Sequence, residues 1–237
     1  MHGGAGPAAL PGRDAGPRRG KQVARRDPAP VGRRIAKAPA GTQGIPSSPV
    51  ASVMDGIDDR LAAWLERQPV FFVATAPLGT DGHVNVSPKG TIGTFRVLDR
   101  DTVAYLDLTG SGAETIAHLR ENGRITLMFC AFEGRPTIVR LSGRGSAVLP
   151  SADSFAALVA GFPPHPGIRS VVTVDVDRVA DSCGYAVPRM SLEAERNVLD
   201  LHNAKKGARK LAEYRADRNA VSIDGLPAWP LDEPVVS

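Results

Sequence analysis

Cysteine, histidine and long apolar runs are scarce in this chain, and each scarcity narrows the classes of function open to it. Two cysteines, Cys130 and Cys183, in 237 residues do not suggest a disulfide framework. Cys130 sits inside an apolar strand-like run and Cys183 beside a glycine-containing turn, so their spacing does not suggest a zinc site either. Such sparing use of cysteine fits a reducing compartment, and the chain is read as cytoplasmic. His83, His118, His165 and His202 are scattered, with no pair at helical or hairpin ligand spacing, which favours packing or surface roles over a metal centre. No apolar stretch reaches signal-peptide length or the span of a bilayer, so no membrane partner is expected.

What is present divides into two parts. Residues 1–50 hold nine Lys or Arg against Asp14 and Asp27, a net of +7; the whole chain carries +4, which leaves about −3 for the rest. The basic balance therefore belongs to the front end, and no nucleic-acid partner is expected for the remainder. Seventeen of those fifty residues are Gly or Pro, and no apolar residue recurs at a fixed period. Residues 1–53 are accordingly read as a disordered basic extension that adds nothing to a core. A basic arm attracted to nucleic acid or membrane, an organellar transit peptide, and a start of translation at Met54 are all open readings of it, although its prolines oppose the amphipathic helix of a transit peptide. Residues 54–237 are ample for one domain.

Within that domain the hydrophobic periods predict mostly strands. Residues 58–67 read as a short amphipathic helix ending before Pro69. Residues 70–76 and 83–87 form a hairpin around L-G-T-D-G, and residues 94–98 and 102–107 form a second pair. A helix over 111–121 precedes two long strands, 124–132 and 137–149. Ser151 is placed as the cap of a further helix. Residues 171–179 alternate Val172, Val174, Val176 and Val179 against Asp175 and Asp177, as a half-buried strand would. Residues 191–219 read as helical with a break at Gly207. Phe71, Phe72, Phe95, Phe129 and Phe132 are assigned to the core, and Arg140 to a surface face. Hairpin-linked strands with one inserted helix favour a closed antiparallel barrel over a doubly wound sheet. A dinucleotide-binding reading of residues 105–121, with Glu133 as the ribose acid, is weakened by Thr115 at the third glycine position and by the hairpin that follows.

Two segments concentrate the groups that hold a phosphate: N-V-S-P-K-G from Asn85 and D-L-T-G-S-G from Asp107. Ser87, Thr109 and Ser111 can donate O–H, Lys89 brings a compact positive charge, and Gly90, Gly110 and Gly112 let backbone N–H groups approach an anion. A helix N-terminus following the second segment would add its dipole, although Glu114 would repel a phosphate if it faced the same way.

The run A-Y-L-D-L-T-G-S-G-A-E-T-I-A-H-L-R-E-N-G-R-I-T-L-M-F from Ala104 to Phe129, with the N-V-S-P-K-G segment before it, resembles the pyridoxamine 5′-phosphate oxidase-like flavoproteins. The resemblance covers about residues 70–148. It implies a mainly β fold with inserted helices, the FMN-binding split β-barrel, plus C-terminal helices. It also implies FMN as cofactor, with Ser87 and Lys89, then Thr109, Gly110, Ser111 and Gly112, at the phosphate, and a homodimer acting on a small-molecule substrate. The oxidase carries a basic S-R-K-like run on its helix where this chain has A-E-T at 113–115, which favours a relative with another substrate over pyridoxamine phosphate oxidation. The expected activity is an FMN-dependent oxidoreductase; the alternative is a non-catalytic flavin- or heme-binding barrel. No catalytic residue is evident, and Cys183 and Tyr185, in D-S-C-G-Y-A-V-P, are the weak candidates for the substrate side.

Overall fold

The computed structural model describes residues 52–230 and Glu233; residues 1–51, and with them nearly all of the predicted basic extension, lie outside the described residues. Eight strands form one sheet: β1 (Ser52–Met54), β2 (Val70–Thr75), β3 (Asn85–Gly90), β4 (Phe95–Val97), β5 (Thr102–Leu108), β6 (Arg124–Cys130), β7 (Thr137–Val148) and β8 (Ile168–Cys183). Four helices accompany them: α1 (Asp59–Glu66), α2 (Glu114–Glu121), α3 (Phe155–Val159) and α4 (Val198–Arg218). Strands run in the order β3-β2-β6-β7-β8-β5-β4, with β1 beside β8, and every pairing is antiparallel. The domain thus begins within the segment assigned to the extension, since Ser52 pairs with Asp181 and donates to its carboxylate.

The sheet curls until its two ends meet. Phe71 of β2 lies 5.4 Å from Phe95 of β4 and 5.5 Å from Tyr105 of β5, ring centroid to centroid, although these strands stand far apart in the hydrogen-bonded order. Phe129 completes the cluster at 5.3 Å from Phe71 and 4.9 Å from Phe95. Side chains therefore close the barrel where no β3–β4 ladder does among the described residues. This is a split β-barrel, filled by Phe71, Val73, Val103, Leu127, Phe129, Val139, Leu141 and Val172. Edge-to-face and offset aromatic contacts of this kind each add about 1 kcal/mol beyond burial. The β5–α2–β6 unit is not a dinucleotide fold, because β6 pairs with β2 and β7 and does not lie beside β5.

Local chemistry explains the elements. Asp58 caps α1 by accepting from the Leu61 N–H at 2.7 Å. The valine alternation of β8 slips after Val176 because Asp177 is an extra residue at a bulge: Gly143 pairs with Val176 while Ser142 pairs with Arg178. A Cβ at position 143 would stand 2.0 Å from the Asp175 carbonyl oxygen, so only glycine admits this close approach. β8 is also longer than its alternation predicts, since Arg169, Ser170 and Val171 are buried on both faces: Val171 packs with Phe162, Ala104 and Leu106 under α3.

Four placements differ from the sequence expectations. Ser151 does not cap α3; its N–H and hydroxyl are held by Glu233, and α3 begins after Ser154. The C-terminal helix starts at Val198, well after residue 191, although its break at Gly207, where φ is 70°, is as expected. Phe72 is half-buried on the outer side of β2, opposite Pro88 and Met128. Phe132 is half-buried beyond the end of β6. Arg140 is on the surface, donating to Ser182 Oγ at 3.1 Å. No helix among the described residues is long and apolar enough to cross a membrane.

Candidate functional site

The two donor-rich segments meet at Asp107, whose carboxylate is almost wholly buried at the end of β5. Lys89 Nζ, from β3, donates to Asp107 Oδ1 at 3.2 Å. Arg169, from the start of β8, donates through Nε to Oδ2 at 2.7 Å and through Nη2 to Oδ1 at 3.1 Å, and Ser170 Oγ donates to Oδ2 at 3.1 Å. The third nitrogen of Arg169 reaches the Gly112 carbonyl at 2.9 Å. One carboxylate therefore ties the sheet's two ends to the T-G-S-G loop. Burial by itself would raise the Asp107 pKa, but Arg169 and then Lys89 overcome it and hold the group far below the ordinary carboxylate range. The same pairing raises Arg169 against the opposing effect of its own burial.

A further cation lies near this pair. Arg215 of α4 donates through Nε to Thr109 Oγ1 at 2.9 Å and through Nη2 to the Ile168 carbonyl at 3.0 Å. Burial, reinforced by the nearby Arg169, lowers its pKa to about 10. Lys89 and Arg169 thus hold the buried carboxylate of Asp107, Arg215 stands on the other side of Thr109, and the less buried Glu114 and Glu233 act on the two arginines through space. The cations that α2 lacks in its A-E-T run come to the loop from β8 and α4.

The loop is held largely by its carbonyls and, past Thr109, leaves its N–H groups unused. Thr109 N–H and Oγ1 both donate to the Gly167 carbonyl, at 2.9 and 2.8 Å. Asn219 Nδ2 donates to the Gly110 carbonyl at 3.0 Å and more distantly to that of Ser111. By contrast, the N–H groups of Gly110, Ser111, Gly112 and Ala113 donate to no described residue, and α2 has no side-chain cap. Four successive donors at a helix start, with Ser111 exposed beside them, can receive an anion. Glu114 competes for this place: a Cβ added at Gly112 would come within 2.8 Å of its Oε2, so its carboxylate folds back over the loop. Glu114→Gln should therefore tighten binding of inorganic phosphate at this loop by about threefold, read by calorimetry, because a like charge beside the N–H groups is removed.

Of the residues predicted from sequence, Lys89, Gly110, Ser111 and Gly112 are gathered around this cluster. Ser87 and Thr109 are nearby but engaged: Ser87 Oγ donates to Asn85 Oδ1 at 2.7 Å, and Thr109 is turned inward. Asn85 continues the network to Thr75 and Thr115, both at 3.1 Å, and Thr75 Oγ1 lies 2.9 Å from Nδ1 of the fully buried His118. Burial lowers the His118 pKa, so the imidazole is held neutral as a packing group. Cys183 and Tyr185 are not part of the cluster. Cys183 is the last residue of β8, opposite Thr137, about 40 Å of strand path from Ser170, and both Cys183 and Tyr185 are exposed. Asp107, Arg169, Arg215 and Asn219 carry the site's electrostatics and were assigned no role from sequence. A signal for the first existed, since an acid enclosed in A-Y-L-D-L must be buried and hence paired.

Two cavities lie beside these residues, the second lined in part by Gly167, Ile168, Asn203 and Arg215. One, of about 450 Å³, runs along the outside of β2, β6 and β7 between Val84, Arg124, Thr126, Arg144 and Asp177. The other, of about 350 Å³, lies between α3, the loop before β8 and α4. No three His, Cys, Asp or Glu side chains converge as a metal site among the described residues.

Comparison with known proteins agrees with this arrangement at the level of family. The pyridoxamine 5′-phosphate oxidase family pattern matches residues 57–183. The chain is 40% identical over 189 residues to the pyridoxamine 5′-phosphate oxidase family protein ustO of Aspergillus flavus, covering 73% of this chain and 76% of that one. Among solved structures, HupZ of Group A Streptococcus is 24% identical, with a TM-score of 0.41 over 52% of this chain and 91% of its own. The FAD binding protein from Mycobacterium smegmatis is 17% identical, with a TM-score of 0.38 over 55% of this chain and 95% of its own. On the family pattern, which spans more than half of its length, and on its likeness to ustO, the chain belongs to the pyridoxamine 5′-phosphate oxidase family.

Proposed function

We propose that the domain binds FMN through its phosphate at the Lys89 and T-G-S-G cluster and acts as an FMN-dependent oxidoreductase on a small organic substrate. The observation that carries this is the pair of cations Lys89 and Arg169 at Asp107 beside four backbone N–H groups without an acceptor among the described residues. A phosphate carries close to two negative charges at neutral pH, and a lysine with several N–H and O–H donors complements it. Bound there, FMN would supply the redox chemistry of its isoalloxazine ring. Lys89 and the loop would fix the phosphate end, and the Asp107–Arg169 pair would hold the loop in place. Anaerobic addition of a nicotinamide donor to the flavin-loaded protein tests turnover: bleaching of the flavin band is expected, and a flavin that binds yet stays oxidised with every donor and substrate tried would reduce the role to storage.

The proposal includes a homodimer with the flavin at or near the subunit interface. The outer side of the barrel around β3 supports it, because Val84 and Val86 are 69% and 63% exposed beside half-buried Phe72. Apolar side chains gathered on one sheet face mark an interaction surface, and a closed two-fold dimer covers such a face on both copies. Light scattering of the flavin-loaded protein should give twice the chain mass; a monomer mass at micromolar concentration contradicts this part of the proposal.

A further inference from the structure

We infer that the cavity between α3, the loop before β8 and the kinked α4 is a second ligand site, one that takes a small organic molecule bearing a single carboxylate. The carboxylate would lie on Arg215, and the apolar body against Phe155, Val159 and Leu211.

Arg215 lines this cavity and is only 6% exposed. Its two hydrogen bonds go to uncharged oxygens, those of Thr109 and Ile168, and it pairs with no carboxylate among the described residues. The ring of Trp229, 5.4 Å from the guanidinium carbon, helps to fix its plane. A guanidinium has five N–H donors in a rigid fork, so its unused donors can still engage a carboxylate. A buried cation without an anion is costly, and the acids around it are already engaged. Asp107 is held by Lys89, Arg169 and Ser170. Glu233, whose oxygens accept from Ser151, makes no ion pair with Arg215 and acts on it only through space. Asp200 pairs with His165 at 3.3 Å on the cavity's rim. The missing negative charge would come from a ligand.

The rest of the wall defines the class of that ligand. Phe155, Val159, Ile168 and Leu211 are apolar, and Ala204 and Ala208 leave the room between them. An inorganic anion would leave this surface unfilled, whereas a carboxylate with a hydrocarbon or aromatic body would use both parts. Gly207, at φ 70°, bends α4 where it lines the cavity, and no atom lies within 4 Å of a Cβ added there, so the bend leaves the space open. The site stands apart from the flavin proposal, which needs Lys89 and the loop N–H groups; Arg215 joins the two regions through its bond to Thr109 Oγ1 at 2.9 Å.

The test uses 3-phenylpropionate and its uncharged amide as probes, with the full-length chain, by calorimetry and thermal melting, with and without saturating FMN. The carboxylate should bind and raise the melting temperature, the amide should bind at least about tenfold more weakly, and FMN should not compete. Ala208→Trp, which fills the cavity and leaves Arg215 in place, should abolish binding with little change in melting temperature. Arg215→Gln should remove the preference for the carboxylate over the amide. The inference is overturned if the wild-type chain binds neither probe or both equally, if Ala208→Trp binds like the wild type, or if FMN displaces the probe.

Discussion

Asp107→Asn should lower the unfolding free energy by about 3–5 kcal/mol, the range for removing one partner of a buried ion pair. The substitution keeps the shape and one acceptor oxygen but leaves Arg169, 3% exposed, without a counter-charge, and it turns the other oxygen into an NH2 group facing the donors of Arg169 and of Lys89 or Ser170. The effect should depend on pH in a definite direction. The Asp107 pKa is far lower in the folded chain than the ~3.9 of an unfolded aspartate, so its stabilisation is fully present above about pH 5. As pH falls through the unfolded value toward the depressed one, the unfolded chain takes up the proton first and that stabilisation is lost. His118 adds a step at higher pH with the same sign, because its lowered pKa lets the unfolded chain bind a proton first below about pH 6.5. Denaturant unfolding across pH 3–8 should show both steps in the wild type and a smaller acid step in Asp107→Asn, where Asp99 and Asp224, also held below the ordinary carboxylate range, remain. Equal acid sensitivity in the two proteins would remove Asp107 from the account.

Lys89→Ala should weaken FMN binding by about 10–100-fold, the range for one charge-assisted hydrogen bond at a phosphate. Its side chain is 22% exposed, and Asp107 keeps Arg169 and Ser170 without it, so the fold should persist where Asp107→Asn impairs it. Riboflavin, which lacks the phosphate, gives the control: its affinity should be the same for the wild type and for Lys89→Ala. A comparable loss for both ligands would mean that Lys89 acts through the barrel and not on the phosphate.

The barrel was legible because its signals are local. Alternating valines, the L-G-T-D-G turn and the acidic start of α1 each specify an element from neighbouring residues, and the resulting chain of hairpins restricts the topology. Two departures share a cause: tertiary partners replaced local ones. Glu233 draws Ser151 away from α3, and the bulge at Asp177 changes the phase of β8. The site was half legible. Lys89 and the T-G-S-G loop announce themselves as donors, but the charge around them comes from Arg169 and Arg215, far away in sequence, and no period or motif ties those arginines to Asp107. Thr109 shows the opposite error, since a hydroxyl in a donor-rich motif can be committed to the fold, as this one is to Gly167 and Arg215.

The central claim is tested most directly by titrating the purified full-length chain with FMN and with riboflavin and following the flavin fluorescence. Saturable quenching by FMN, with one flavin per chain, and markedly weaker binding of riboflavin are expected. Absence of quenching by FMN, or equal affinity for the two flavins, would contradict it.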